Sequence, residues 1–126
     1  MSTVAELKRL LGEFKAASNV EAAAIVSRNG IPIAWEMPES AHIETFATLS
    51  ATILGASEVV FSGLNKELPD RVIVESRGIT LIAIGLGTRA LLVALSSAAD
   101  MKAFRDGMED TANKIKEVLK HEKGKL

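Results

Sequence analysis

The sequence of 126 residues contains no cysteine and no tyrosine, and its only aromatic residues are Trp35 and four phenylalanines. The absence of cysteine excludes disulfide bonds, thiolate metal sites and a thiol nucleophile. The few aromatic rings are too sparse for a set of base-stacking platforms, and a formal net charge of −1 gives no general attraction to nucleic acid. We therefore predict no nucleic-acid partner.

Residues suited to catalysis are equally scarce. The two histidines, His42 and His121, lack ligand spacing with each other or with paired carboxylates, so no metal site is predicted. Ser40, His42 and Glu44 lie too close together in the chain for a nucleophilic set, and Ser40 is better explained as a helix cap. The glycine-rich segment 85–88 lacks the ending of a phosphate-binding Walker motif, and a turn explains its glycines. We predict that the protein is not an enzyme and holds no cofactor.

Charged residues interrupt the apolar stretches of the chain, which argues against a secretory signal or a membrane span. Residues 4–14 have no long apolar run because four charged residues interrupt them, and the longest run without an ionisable side chain is residues 45–57. That run is shorter than the roughly 20 residues that cross a bilayer. Since 48% of the residues are hydrophobic and 25% are charged, we predict one globular domain over residues 1–126, cytoplasmic and without membrane insertion.

Hydrophobic periodicity predicts the order helix, two strands, helix, three strands, helix. The helices are predicted at about residues 3–17, at 41–64 and from 97 onward, and the strands at 21–27, 31–36, 71–76, 79–84 and 90–95. The intervals between paired strands are too short for crossovers, so the sheet is predicted to be mainly antiparallel. The predicted fold is an α/β domain of the α+β type with three layers, in which a five-stranded sheet has the long helix on one face and two helices on the other.

Polar residues at three places are predicted to cap the helices. Thr3, followed by Glu6, matches a capping box before the first helix. Ser40 is the predicted cap of the long helix, and Ser97 with Asp100 that of the last helix.

The predicted helix 41–64 is unusual because its only ionisable residues after His42 are Glu44 and Glu58. A surface helix normally has one apolar stripe and a charged opposite face. One row of large side chains is predicted to face the core: Ile43, Phe46, Ile53, Val60 and Leu64. A second row has small, mostly uncharged side chains: Thr45, Thr48, Ala51, Thr52, Gly55, Ala56 and Val59.

A chain of this length has one core. If the first row faces that core, the second row needs a covering surface from elsewhere. Small side chains allow another backbone to approach closely. We therefore predict a homodimer in which this row meets the same helix of a second copy across a two-fold axis. The alternative is that loops of the same chain cover the row, or that threonine and alanine tolerate water there.

Four residues are candidates for contact with another protein. Arg28, Arg77 and Arg89 lie in or beside predicted turns, where an arginine can stabilise charge on a nucleotide bound by a partner, although such arginines are usually only solvated. Trp35 ends a predicted strand, and exposed tryptophan is enriched at binding hot spots. Burial beneath the first or last helix is the alternative for Trp35.

The chain resembles the roadblock family, which includes dynein light chains of that name and bacterial and archaeal regulators of Ras-like GTPases. Four segments in order carry the resemblance: VEAAAIVS at 20–27 leading to NGIPIA at 29–34, the long helix with small residues, VIVE at 72–75 before Gly78, and ALLV at 90–93. The resemblance implies a five-stranded antiparallel sheet between one long helix and two outer helices. It also implies a dimer in which the long helix and the strand after it meet their counterparts.

The implied dimer adds Arg71, Ile73 and Glu75 as expected interface residues, because an edge strand left open invites pairing. Arg71 and Glu75 are placed to form cross-strand ion pairs with an antiparallel copy. For function, the resemblance implies a non-enzymatic homodimer that binds and regulates a small Ras-like GTPase. The alternatives are a structural adaptor without effect on GTP hydrolysis, and a small-molecule sensor or enzyme with a pocket between sheet and helix.

Overall fold

A computed structural model describes residues 2–97 and 100–121 of the chain. Its elements are α1 (Thr3–Ser18), β1 (Val20–Ser27), β2 (Pro32–Glu36), α2 (Ile43–Gly63), β3 (Arg71–Ser76), β4 (Ile79–Gly85), β5 (Ala90–Ser96) and α3 (Met101–Lys120). The predicted order is confirmed, and most predicted boundaries agree within two residues. Met1, residues 98–99 and residues 122–126, which the predicted domain 1–126 includes, lie outside the described residues.

The first residues of the helices differ from the prediction. Ser2 caps α1, since its Oγ accepts a hydrogen bond from the Ala5 backbone N–H at 3.1 Å, and Thr3 is already helical. His42 precedes α2 without a side-chain capping bond, so Ser40 is not the cap. Neighbouring Ser, Thr and Asp residues are all competent caps, and residue type alone therefore leaves the exact position open.

The last helix begins four residues later than predicted. Asp100 is its cap, with Oδ1 accepting from the Ala103 backbone N–H at 3.0 Å, and the helix starts at Met101. The assignment of Ser97 as the cap was wrong, because the acid predicted to assist the cap is the cap itself. This shift leaves β5 one residue longer than expected, to Ser96.

The five strands form one antiparallel sheet in the order β2-β1-β5-β4-β3. The Asn-Gly signal is confirmed as the turn between β1 and β2, where Gly30 has a φ of +89° that favours glycine. A Cβ atom on Gly30 would also lie 3.0 Å from the Cα atom of Thr48. The turn therefore packs directly against the backbone of α2.

Helices cover both faces of the sheet, which confirms the predicted three layers. The central strands β1 and β5 are buried along most of their length, as strands covered on both faces are. On one face, α1 and α3 pack over a large core that includes Phe14, Phe104 and Met108. On the other face α2 packs over a smaller core, whose buried members are Ala24, Val26, Ala47, Ala51, Leu54, Ala83, Leu91 and Val93.

The attachment of α2 depends on Leu54, the largest fully buried side chain of that helix. We expect Leu54→Ala to lower the free energy of unfolding by about 2–5 kcal/mol, because it removes a buried side chain and leaves a cavity. Urea denaturation followed by circular dichroism measures this change. Val4→Ala on α1 is the control, since Val4 is 43% exposed, lies outside the surface of α2 and should change stability by less than about 0.5 kcal/mol. Equal losses for the two variants would contradict the packing described.

Candidate interaction surface

The side of α2 that faces the sheet differs from the predicted row. Ile43 and Phe46 are partly buried against the sheet as expected, but Val60 and Leu64 are 59% and 66% exposed. The prediction was wrong for these two residues because the last buried residue of the helix is Leu54, so its final turns extend beyond the core. The buried positions are occupied mainly by small side chains: Ala47, Ser50, Ala51 and Leu54.

The predicted second row lies mostly on the outer side of α2. Gly55 is half-buried, and Ala51 is buried against the chain's own sheet with 9% exposure. Leu49 and Val60, which are not members of the predicted second row, are exposed beside it. We call the accessible set the outward face of α2: Thr45, Thr48, Leu49, Thr52, Gly55, Ala56, Val59 and Val60.

The outward face contains no ionisable side chain. A helix exposed to water on one side normally carries charged residues there. Contiguous exposed apolar surface in a folded protein marks a site of association. Loops of the described chain do not cover Val59, which is 72% exposed. This face is therefore the principal candidate for contact with another molecule.

Strand β3, the next element after α2, forms one open edge of the sheet. Ile73 packs against the core under α1 and α3, and Arg71 Nη2 lies 3.9 Å from Glu109 Oε2 on α3. Glu75 is exposed farther along the same strand, and Val74 on the α2 side is 44% exposed. The edge strand thus combines unpaired backbone groups with apolar and charged side chains that alternate between its two faces.

Arg28 is held by contacts within its own chain. Its Nη1 donates to Glu58 Oε1 on α2 at 2.8 Å, while Nη2 donates to the Gly87 carbonyl oxygen at 3.0 Å and Nε to that of Ala90 at 3.2 Å. The Arg28 and Glu58 side chains are 26% and 23% exposed. A Cβ atom on Gly85 would lie 2.8 Å from Nη2, so glycine there makes room for the guanidinium. Arg28 therefore joins two turns of the sheet to α2.

Sequence reasoning missed Glu58 as the partner of Arg28. Glu58 follows Leu54 by one helical turn and so continues the sheet-facing row of an otherwise apolar helix. A partly buried carboxylate in that position requires a cation or hydrogen-bond donors. This signal was present in the sequence, although nothing local identified Arg28 as the donor.

The other candidate contact residues lie at separate places. Arg89 is exposed in the turn between β4 and β5, next to Arg28, whose backbone N–H donates to the Arg89 carbonyl oxygen at 2.8 Å. Arg77 is exposed in the turn between β3 and β4, at the opposite end of the sheet. Trp35 lies on the edge strand β2, is 40% exposed, and has Lys8 Nζ 6.0 Å from its ring centroid. The fold brings Arg28 and Arg89 together and separates both from Arg77.

The electrostatic perturbations of the described residues lie away from the outward face of α2. A hydrogen bond from Arg9 holds the pKa of Glu6 below its ordinary value, and a hydrogen bond to Asp106 raises the pKa of Lys102. Both are exposed helix pairs. Among the described residues, no group of three or more histidine or acidic side chains is arranged to hold a metal ion.

The architecture agrees with known proteins. The model of the Roadblock/LC7 domain family matches residues 6–96. A structure of MglB with a tetrameric arrangement is 17% identical with a TM-score of 0.87, over 96% of this chain and 93% of that one. MglB of Myxococcus xanthus is 14% identical with a TM-score of 0.87, over 92% and 96% of the two chains. The gliding protein MglB of Thermus thermophilus is 17% identical with a TM-score of 0.85, over 96% and 93%.

A search of curated proteins gave no match to the sequence. At identities this low, the solved structures show a shared fold alone.

Proposed function

Because the chain belongs to the Roadblock/LC7 domain family, we propose that it is a non-enzymatic homodimer that binds and regulates a small Ras-like GTPase. Members of this family are regulatory or adaptor modules rather than enzymes. The resemblance of this chain to the GTPase regulators of the family supports a small GTPase as the partner. The observation that carries the proposal is the uncharged outward face of α2, which is exposed in the single chain. A second copy supplies the cover that this face lacks.

The proposed dimer places the outward faces of two α2 helices against each other across a two-fold axis. Threonine, alanine and glycine along the middle of the face allow the helices to approach closely, and Leu49, Val59 and Val60 add apolar area at its flanks. Ala51 is buried beneath this contact and acts through the close seating of α2 on its own sheet.

The same two-fold axis suits the open edge of the sheet. If β3 pairs with its copy antiparallel and centred on Ile73, Arg71 of each chain lies opposite Glu75 of the other. The same register brings Val72 opposite Val74, so apolar and charged pairs both match. Helix and strand then contribute to one continuous interface.

Gly55→Glu tests this dimer. A Cβ atom on Gly55 meets nothing within 4 Å, so a single chain accommodates the new side chain. Helix propensity also favours glutamate over glycine by somewhat less than about 1 kcal/mol. We expect circular dichroism to show an intact fold and light scattering to show a monomer, because two added carboxylates face each other across the contact. Ala16→Glu, on the exposed side of α1, is the control and should remain dimeric. A dimeric Gly55→Glu variant would overturn the placement.

For the GTPase, we propose contact through the exposed Trp35 together with Arg89 or Arg77, which lie at opposite ends of the sheet. Trp35 lies on β2, the sheet edge opposite β3, and so stays accessible when α2 and β3 are covered in the dimer. The guanidinium of Arg28 is engaged by Glu58 and two carbonyl oxygens, and we assign it to holding the scaffold rather than to reaching a partner's nucleotide.

The partner prediction is tested with purified Ras-like GTPases from the source organism, each loaded with GDP or a GTP analogue. We expect at least one to bind with a preference for one nucleotide state and to hydrolyse GTP at a changed rate when this protein is added. Trp35→Ala should weaken binding without altering the dimer, since truncating a hot-spot residue costs about 2 kcal/mol or more. Binding with an unchanged rate would favour the adaptor alternative, and absence of binding to every GTPase would refute both the partner class and the regulation.

We further propose that the protein is soluble in the cytoplasm and that it binds neither a cofactor nor nucleic acid. By length and composition alone α2 is apolar enough to cross a membrane, a property that core helices of soluble proteins share. Insertion would separate Glu58 from Arg28 and place a carboxylate in hydrocarbon, which is unfavourable. A second copy covers the same face and leaves this ion pair intact.

A further inference from the structure

Helix α2 is attached to the rest of the chain in two chemically different ways. Up to Leu54 it is held by apolar packing on the sheet. One turn later Glu58 accepts a hydrogen bond from Arg28 at 2.8 Å, and the residues from Val59 to Gly63 are exposed. The last turns of the helix therefore lie beyond the core, with an ion pair at their base.

Arg28 is a fixed point rather than a flexible tether. Its three nitrogen atoms donate to Glu58 and to the carbonyl oxygens of Gly87 and Ala90, so the guanidinium plane is held from three directions. The planar fork of arginine suits such an arrangement, whereas the single ammonium of lysine cannot reproduce it. The turn between β4 and β5 and the turn carrying Arg28 together define where Glu58 lies.

The residues that follow Glu58 include several exposed apolar side chains of α2. Val59, Val60 and Phe61 are 72%, 59% and 42% exposed. Leu64, the residue that follows the last turn of α2, is 66% exposed, and a rise of about 1.5 Å per residue places it about 15 Å beyond Leu54. A small tilt of the helix at Leu54 consequently moves the end of this surface by several times the displacement near the core.

We propose that Arg28 is a positioning residue for the self-association surface. By holding Glu58 against the two turns, it fixes the direction of the last turns of α2, so that Val59 and Val60 of two chains meet in register. This inference rests on the proposed self-association and assigns Arg28 a role distinct from contact with a nucleotide.

The test uses Arg28→Met, which leaves Glu58 without its partner, and Arg28→Met/Glu58→Met, which removes both charges. The double variant separates positioning from the simple cost of an orphan carboxylate. In the Gly55→Glu background, where association does not add to stability, we expect it to melt close to its parent while amide hydrogen exchange across residues 55–64 speeds up and exchange across 43–54 does not change. With Gly55 retained, its self-association should weaken by about tenfold, in the range of coupled side-chain pairs.

Lys102→Met/Asp106→Met is the matched control, since this pair on α3 has a 3.0 Å ion pair that is exposed and lies on the opposite face of the sheet from α2. It should leave exchange in α2 and self-association unchanged. Glu58→Gln keeps the side-chain shape and an acceptor oxygen. It should show a smaller exchange gradient, meaning faster exchange across residues 55–64 than across 43–54, and it replaces the double variant in the test if that variant fails to fold.

Unchanged exchange in residues 55–64, or an equal increase along the whole of α2, would overturn the positioning role of Arg28. The exchange measurement is made in the Gly55→Glu background, where it reports on the single chain. If the wild type is monomeric at every concentration, the proposed self-association fails while the exchange gradient still decides whether Arg28 orients α2. If the wild type is dimeric and the gradient is absent, the positioning role alone fails.

Discussion

The sheet needs cover on both faces, and this requirement governs the rest of the molecule. Strands β1 and β5 are apolar on both sides, so the folded state is destabilised if water reaches either face. Two helices with phenylalanine and methionine side chains cover one face, whereas a single helix covers the other. Alanine and serine on the sheet-facing side of α2 let it sit close to the strands, whereas Leu49, Val59 and Val60 lie on its exposed side.

Local chemistry made most of the fold predictable. Each hairpin is specified by residues adjacent in sequence, as at Asn29 and Gly30, and short connections exclude crossovers whatever the distant contacts are. The rotation of α2 about its axis was less accessible, because a helix that is apolar nearly all round has no polar side to define which residues face water. Val60 and Leu64 were assigned to the core because of their size, but the last turns of the helix extend beyond the sheet. The length of helix that the sheet covers depends on tertiary geometry and not on periodicity.

The candidate contact residues show the same limit. Sequence treats Arg28, Arg77 and Arg89 alike, as arginines in turns, and only strand register separates the end of the sheet that carries two of them from the end that carries the third. The pairing of Arg28 with Glu58 spans 30 positions of the chain and so has no local signature. The sequence does show one charged residue, Glu58, in the sheet-facing row of α2. A carboxylate in that row indicates that it has a partner but does not identify the partner.

Three environments compete for the outward face of α2: water, a bilayer and another protein surface. Water is unfavourable because Leu49, Val59 and Val60 present apolar area without charged neighbours on that face. A bilayer is unfavourable because Glu58 sits at the base of the exposed turns in an ion pair that hydrocarbon would disrupt. A second copy meets neither objection. Since β3 begins only a short connection after α2, the proposed two-fold axis would bring the backbone groups of the open strand and the side chains of the helix into the same contact.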